Sequence, residues 1–312
     1  MTISILSYVS YNAAMKSSLK LENSISTLFV VALAMAFTTS VFAASKMSDA
    51  SDVLNAPPDF SDLCSTDLSN VHFYGLNLTP DNHELKMFVW NTKKFENLNA
   101  FADLKTHAET SDVVFIQEAA HSRDLQSAMI ENLPTHRHAF FPSFCDDYNY
   151  VYGVQISTKL NSADEVRWPS PDTEPFSTIR KMSAYSLVEW NGIKIHLINT
   201  HALNFNPGGK FKEQIYDLYL KIRQLEGPVI WAGDFNTWVP MRRKYLFSLA
   251  DDLGLAHVLP ENDTRKLKLD HVFYRGLKLK SAQIIPLKTS DHFAISLEFT
   301  KPEPPSEKLA QY

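Results

Sequence analysis

A chain of 312 residues has room for one large domain or two small ones. Its 45% hydrophobic content supports a sizeable core. The formal net charge of −5 argues against non-specific nucleic-acid binding through global charge.

The N-terminus reads as an address. Lys16 and Lys20 precede an apolar stretch from Leu28 to Phe37, and Val41-Phe42-Ala43 then offers small residues at a cleavage-site spacing. The stretch is short of the ~20 apolar residues that a membrane span needs. Residues 1–43 are therefore expected to be a signal peptide, which implies a secreted or periplasmic protein. An uncleaved membrane anchor is the alternative, and only it would give the protein a stable membrane partner. Residues 44–84, rich in Ser, Asp, Asn and Pro, read as an N-terminal extension. The two cysteines, Cys64 and Cys145, either pair in an oxidising compartment or stand as unrelated thiols. No CxxC or Cys/His cluster offers a structural zinc site.

From residue 85 to 300 the pattern alternates. Met87 to Trp90 reads as a strand, and Leu98, Phe101 and Leu104 then recur at helical spacing. Val113 to Ile116 is a second strand, followed by a helix bearing Leu125, Ala128 and Met129. Tyr152 to Ile156, Met182 to Trp190 and Ile193 to Asn199 read as strands, the last two joined at Asn191-Gly192, a hairpin signal. Phe211, Ile215, Leu218, Ile222 and Leu225 form the clearest helical face. Val229 to Ala232 is a strand leading into Gly233-Asp234-Phe235-Asn236, and a helix bearing Leu246, Leu249 and Leu253 follows. Late strands are expected over Leu269 to Phe273, Leu277 to Ile285 and Phe293 to Phe299. The Pro-rich tail, 301–312, continues no element. Strands in runs with interleaved helices suggest layered sheets with helices outside.

Polar clusters sit at the ends of these apolar runs. They are Trp90-Asn91, Gln117-Glu118, Asn199-Thr200-His201, Asp234 with Asn236, Leu269-Asp270-His271 and Ser290-Asp291-His292. Each has an ordinary reading taken alone: a carboxylate or amide as turn former, a histidine satisfied in the core. His271 points opposite Asp270 along its strand and reads as structural, and Trp231 and Trp238 read as packing. Taken jointly and in this order, the set resembles the endonuclease/exonuclease/phosphatase superfamily over roughly Lys86 to Phe299.

That resemblance implies an α/β fold, a four-layer α/β sandwich of two packed, mostly antiparallel sheets flanked by helices. It also implies metal-dependent hydrolysis of a phosphoester, with Mg²⁺ as cofactor and Mn²⁺ as the alternative. Glu118 is expected as a metal ligand with Asn91 beside it, because carboxylate and carboxamide oxygens suit a hard cation. The family pattern adds Asp291 to the metal site. Asp234 would hold or deprotonate the attacking water, and Asn236 would bind a phosphate oxygen. His292 would contact the phosphate or act as acid or base, with Asp270 fixing its tautomer. His201 matches a histidine that lies at the scissile phosphate in the deoxyribonuclease branch. Whether His292 or Asp234 takes the water's proton stays open. That branch also carries a glutamate partner for the first histidine, and no equivalent stands around Tyr150 to Ser157. Basic residues beside the motifs, among them Lys93, Lys94, Arg180, Lys181, Lys210, Lys212, Arg242, Arg243, Lys244, Arg265, Lys266 and Lys268, either rim a pocket for an anionic substrate or are solvated loop charges. The expected partner is a phosphoester, nucleic acid first. A phospholipid-directed phosphoesterase (a sphingomyelinase or phosphoinositide phosphatase) and a non-catalytic binding protein on the same scaffold are the alternatives.

Overall fold

The backbone places apolar side chains alternately on two faces of each central strand. Strand β2 (Leu85–Asn91) sends Leu85, Met87 and Val89 to one side and Phe88 and Trp90 to the other, and all five are buried. A strand buried on both faces needs a layer above and a layer below, which is why its sequence is a continuous apolar run. The computed structural model describes Cys64 and residues 68–76, 83–148, 150–205 and 209–302. Residues 1–43, read as a signal peptide or anchor, most of 44–84, read as an extension, and nearly all of 301–312 lie outside the described residues.

Two sheets pack face to face. The first contains β1 (His72–Tyr74), β2, β3 (Val113–His121), β4 (Arg137–Cys145), β5 (Val151–Thr158), β12 (Lys278–Ile285) and β13 (Ala294–Thr300), in the spatial order β1-β4-β5-β3-β2-β13-β12. The second contains β6 (Asn161–Thr173), β7 (Arg180–Trp190), β8 (Ile193–His201), β9 (Val229–Asp234), β10 (Ala256–His257) and β11 (Asp270–Arg275), in the order β10-β11-β9-β8-β7-β6. Pairing is antiparallel apart from β2 with β3 and β8 with β9.

Met87, Val89, Phe115 and Ile295 of the first sheet meet Ala184, Leu197, Ile230 and Val272 of the second in the central core. On the outer face of the first sheet, Phe88, Trp90, Val114 and Ile116 pack against Phe101 and Leu104 of α1 (Ala100–Ala108) and Met129 of α2 (Arg123–Asn132). On the outer face of the second, Ile198, Val229 and Trp231 pack against Phe211, Ile215, Leu218 and Ile222 of α3 (Gly209–Ile222) and Leu246 and Ala250 of α4 (Pro240–Asp252). This is the four-layer sandwich that the motif order implies. No helix among the described residues is long and apolar enough to cross a membrane.

The Asn191-Gly192 turn has φ of 49° and 77°, the double left-handed geometry of a tight hairpin, and it joins β7 to β8 as expected. Four strands lack a legible apolar pattern, the shortest being the two-residue β10. Strand β6 is an edge, largely open to solvent, and tolerates Pro169 and Pro171. Strand β4 buries His138 and carries Pro142. Strand β1 lies within the segment read as an extension and pairs antiparallel with β4. Cys64 and Cys145 form a disulfide with Cα atoms 5.8 Å apart, tying the chain before β1 to the end of β4. Closing a loop of this length stabilises by on the order of 4 kcal/mol in the chain-entropy account.

The outer part of the first sheet buries a histidine network. Tyr74 Oη donates to Gln155 Oε1 (2.7 Å), which also contacts His121 Nε2 (2.7 Å). His138 Nδ1 contacts Ser157 Oγ at 2.8 Å, and His136 Nε2 contacts the Ser111 carbonyl at 2.9 Å. Burial lowers His121 to about 3 and, with Lys159 nearby, lowers His136 to about 4. Burial likewise holds His138 well below its ordinary value. In the unfolded chain these rings take up protons near pH 6.5, so the unfolded state binds protons first as pH falls. Stability contributed by their neutral forms is complete above about pH 6.5 and is lost below it, at roughly 1.4 kcal/mol per pH unit for each ring. Urea unfolding at pH 7.5 and at pH 5 is expected to show a clearly lower midpoint at the acid end.

Candidate active site

Register decides what Asp234 faces. It ends β9, and its partner on the parallel side is His201, the last residue of β8. Its partner on the antiparallel side is Asp270, the first residue of β11. Three chemically active positions therefore stand side by side at one end of the second sheet. The first sheet brings Asn91 at the end of β2 and Glu118 on β3. Strand β3 breaks register between Ile116 and Ala119, and Glu118 there has φ 50°, a left-handed conformation costly for a side chain of this type. That bulge re-aims Glu118 out of the ladder.

The two sheets meet at Asp234. Asn91 Nδ2 donates to Asp234 Oδ2 at 3.0 Å, while Asn91 Oδ1 accepts from the Lys93 N–H at 3.0 Å. The Asn236 N–H donates to Asp234 Oδ1 at 2.9 Å, closing a local turn in which Asn236 has φ 49°. Asn236 Nδ2 donates to the Ala202 carbonyl at 2.9 Å, and its second amide hydrogen remains for a ligand. His292 Nδ1 lies 3.0 Å from both Asp270 oxygens. A carboxylate there accepts, so Nδ1 carries the proton and Nε2 faces Asp234 Oδ2 at 3.9 Å. Ser290 Oγ donates to the Asn91 carbonyl at 2.7 Å and accepts the His292 N–H at 3.1 Å, pinning the loop before β13.

The electrostatics separate the two histidines. Burial alone would depress His292, but the Asp270 carboxylate beside it, with Asp234 and Asp291 adding, raises it to about 10. Burial depresses His201 well below its ordinary value, and the cations Lys181, His292 and Lys94 depress it further. Burial raises Asp234 to about 6; repulsion from Asp270 and Glu118 adds to this, and His292 and the Asn236 N–H oppose it.

The structure thus brings together Asn91, Glu118, His201, Asp234, Asn236, Asp270 and His292. Asp291 is exposed beside them, within 3.4 Å of Ser290 Oγ. Among the described residues, the carboxylate and imidazole atoms that come within 4.8 Å of one another, close enough to hold a metal ion, belong to Asp234, Asp270 and His292. This group differs from the set read from sequence, Asn91, Glu118 and Asp291. Asp270 and His292 are already engaged with each other, whereas the Glu118 side chain is 26% exposed and its ion-pair contact is a long 3.7 Å to His201 Nε2. Both sets are rich in the oxygen donors a hard divalent cation requires.

Several of the basic residues read as either pocket-rim or solvated loop charges are instead bonded within the protein. Arg242 is buried and donates to the Leu203 and Asn236 carbonyls (2.8 and 3.0 Å), holding the loop that carries Asn236. Arg265 pairs with Asp263 at 2.9 Å and donates to the Asp270 carbonyl at 2.9 Å. Lys210 is paired with Asp172 at 3.1 Å. Lys181, by contrast, reaches inward, with Nζ 3.2 Å from His201 Nε2. Nothing local in sequence separates it from Arg180, which caps the β6 edge through the Ser170 carbonyl at 2.6 Å. His271 is structural as read, bonded to Thr237 (2.8 Å) and His257 (3.2 Å). Trp231 is fully buried, but Trp238 is 44% exposed and donates to the Asn204 carbonyl at 3.2 Å.

This arrangement agrees with comparisons against known proteins. The profile of the Endonuclease/Exonuclease/phosphatase family matches residues 88–292, and the chain belongs to that family. Its members are phosphoesterases, and the family generally uses a divalent metal. A UPF0294 protein of Vibrio parahaemolyticus is 28% identical over 242 residues, covering 75% of this chain and 84% of that protein. An endonuclease/exonuclease/phosphatase from Beutenbergia cavernae superposes with a TM-score of 0.58 at 18% identity, over 70% of this chain and 72% of that one. Danio rerio TDP2 complexed with a single-strand DNA product superposes with a TM-score of 0.52 at 18% identity, over 70% of this chain and 100% of that one.

Gly233 has φ 137°, and a Cβ there would lie 2.0 Å from the Thr200 carbonyl oxygen of the neighbouring strand. Gly233→Ala is expected to cost at least about 2 kcal/mol in urea unfolding, because backbone rather than a flexible side chain must give way. Asp270→Asn removes the charge that holds His292 protonated. In the metal-free protein, an NMR titration of His292 is expected to move from about 10 down toward the ordinary histidine range.

Proposed function

We propose that this protein is a divalent-cation-dependent phosphodiesterase acting on nucleic acid, a nuclease. The observation that carries the reading is the convergence on Asp234 of His201, Asp270 and Asn91 from two sheets, with His292 at 3.9 Å. A phosphodiester resists attack because its oxygens are anionic, so a site must shield that charge, orient a water, take its proton and support the leaving oxygen. Asp234, raised by burial, suits a group that orients the water and takes its proton. Protonated His292, held by Asp270, presents Nε2–H to a phosphoryl or leaving oxygen. The free N–H of Asn236 suits a second phosphate oxygen.

Glu118, with Asn91 and Asp291, fits a divalent cation by its oxygen donors, Mg²⁺ first and Mn²⁺ as the alternative. When bound, the ion would neutralise phosphate charge. The TDP2 complex with single-strand DNA product supports nucleic acid as the substrate class. A lipid phosphoester is the second reading, favoured by exposed Phe205 and Trp238 on the loops that follow His201 and Asp234. The Cys64–Cys145 disulfide and the apolar N-terminal stretch support export to an oxidising compartment, secreted or periplasmic, as part of the same proposal.

The test incubates the protein with Mg²⁺ and plasmid DNA, RNA, sphingomyelin and phosphoinositides. Nucleic-acid turnover is expected to dominate, and dominance of either lipid transfers the proposal to the second reading. Glu118→Ala and His292→Ala are each expected to lower kcat by about 10²-fold or more with the fold retained by circular dichroism. Undiminished turnover in both variants removes the residue assignments.

A further inference from the structure

The partner of His201 has the opposite charge to the one the deoxyribonuclease pattern supplies. A carboxylate beside that imidazole would accept its ring N–H and favour a ring that donates to phosphate. Here the partner is an ammonium group. Lys181 Nζ stands 3.2 Å from His201 Nε2, and a lysine ammonium has three hydrogens and no lone pair. The only hydrogen bond this contact can be is Lys181 donating to an unprotonated Nε2. His201 then carries its proton on Nδ1, and its Nε2 is not a donor to anything else.

The same Nε2 is 3.7 Å from Glu118 Oε1 and 3.7 Å from Asp234 Oδ2. Lys181 is therefore a cation beside the imidazole edge that faces both the metal-side carboxylate and the water-side carboxylate. Its placement is built, not incidental. Glu174 lies 3.8 Å from Lys181 Nζ, and its side chain is only 10% exposed. The Glu174 carboxylate also accepts the Asn204 and Phe205 N–H groups (2.7 and 3.2 Å), tying the lysine to the loop that leaves His201. The Lys181 side chain is 17% exposed, so it is largely desolvated yet reachable. An ammonium with one hydrogen spent on His201 and a long ion pair to Glu174 retains hydrogens for an anion, and in a water-poor site such a bond is worth more than in solution.

We propose that Lys181, positioned by Glu174, binds a non-bridging phosphate oxygen of the substrate and takes the place of His201 as donor at that position. The proposal rests on the phosphoesterase reading of the site for its ligand. It assigns His201 a different duty, that of a neutral acceptor which aims the ammonium.

Four readouts on the full chain with Mg²⁺ test it: phosphate affinity, the His201 tautomer, thermal unfolding and phosphodiester turnover. Inorganic phosphate titrated by calorimetry into wild type and Lys181→Met is expected to bind at least ten-fold more weakly to the variant, with Lys181→Arg recovering part of the loss. Nitrogen-15 spectra of His201 are expected to show the Nδ1–H tautomer in wild type and to lose that preference in Lys181→Met. Thermal unfolding of Lys181→Met within a few degrees of wild type separates lost binding from lost fold. Equal phosphate affinity in wild type and Lys181→Met, no phosphate binding by wild type at millimolar concentrations, or an Nε2–H tautomer in wild type each overturns the proposal. Absence of phosphodiester turnover with Lys181-dependent phosphate binding intact would sink the nuclease reading and leave the anchor standing. Turnover with kcat/KM unchanged in Lys181→Met does the reverse.

Discussion

Four carboxamide hydrogen bonds cross the gap between the sheets, and the geometry of the site depends on them. Asn91 Nδ2 reaches Asp234 Oδ2 at 3.0 Å, and Gln117 Nε2 reaches Asn199 Oδ1 at 2.6 Å. Asn199 Nδ2 then returns to the Ile116 and Gln155 carbonyls at 3.1 and 2.9 Å. Gln117 and Asn199 are fully buried, where an unpaired amide costs on the order of a few kcal/mol. The apolar side chains of the central core attract one another without direction and would tolerate a slide of one sheet over the other. The amides do not, because their partners exist at one offset only. They convert two stacked sheets into a frame whose ends are held in register.

Topology supplies the rest. The two parallel pairs, β2 with β3 and β8 with β9, place the carboxyl ends of four strands at one end of the sandwich, and Asn91, His201 and Asp234 are the terminal residues of three of them. Strands β11 and β13 run antiparallel to their neighbours, so their starts arrive at the same end with Asp270 and the loop carrying His292. A set scattered over about two hundred positions becomes one site because strand direction, not sequence distance, decides which ends are neighbours.

Within that frame, identical residue types acquire opposite characters. His292 is held charged by Asp270, and His201 is held neutral by burial and by Lys181. Asp270 is committed to a histidine and Arg265, whereas Asp234 meets amides and is raised by burial. Groups whose environments push them apart in this way are suited to opposite ends of a proton transfer.

Much of the fold was legible because central strands such as β2 and β9 are buried on both faces and read as unbroken apolar runs. Strand β6 was not, since an edge open to solvent has no face to hide. Strand β4 was not, since its buried positions include His138, whose Nδ1 meets Ser157 of β5 and whose ring stacks on Tyr74 of β1. The site residues were visible as polar groups at the ends of apolar runs, and Gln117 and Asn199 were visible with them but not their task of pinning the sheets. By its own pattern, the chain determined its layers, its strand ends and the residue types gathered there. Only the tertiary structure decided who faces whom: that Lys181 stands nearer His201 than either carboxylate does, and that Arg242 and Arg265 brace loops instead of awaiting an anion. Those outcomes depend on side-chain direction and distance across different strands, and a linear string carries neither.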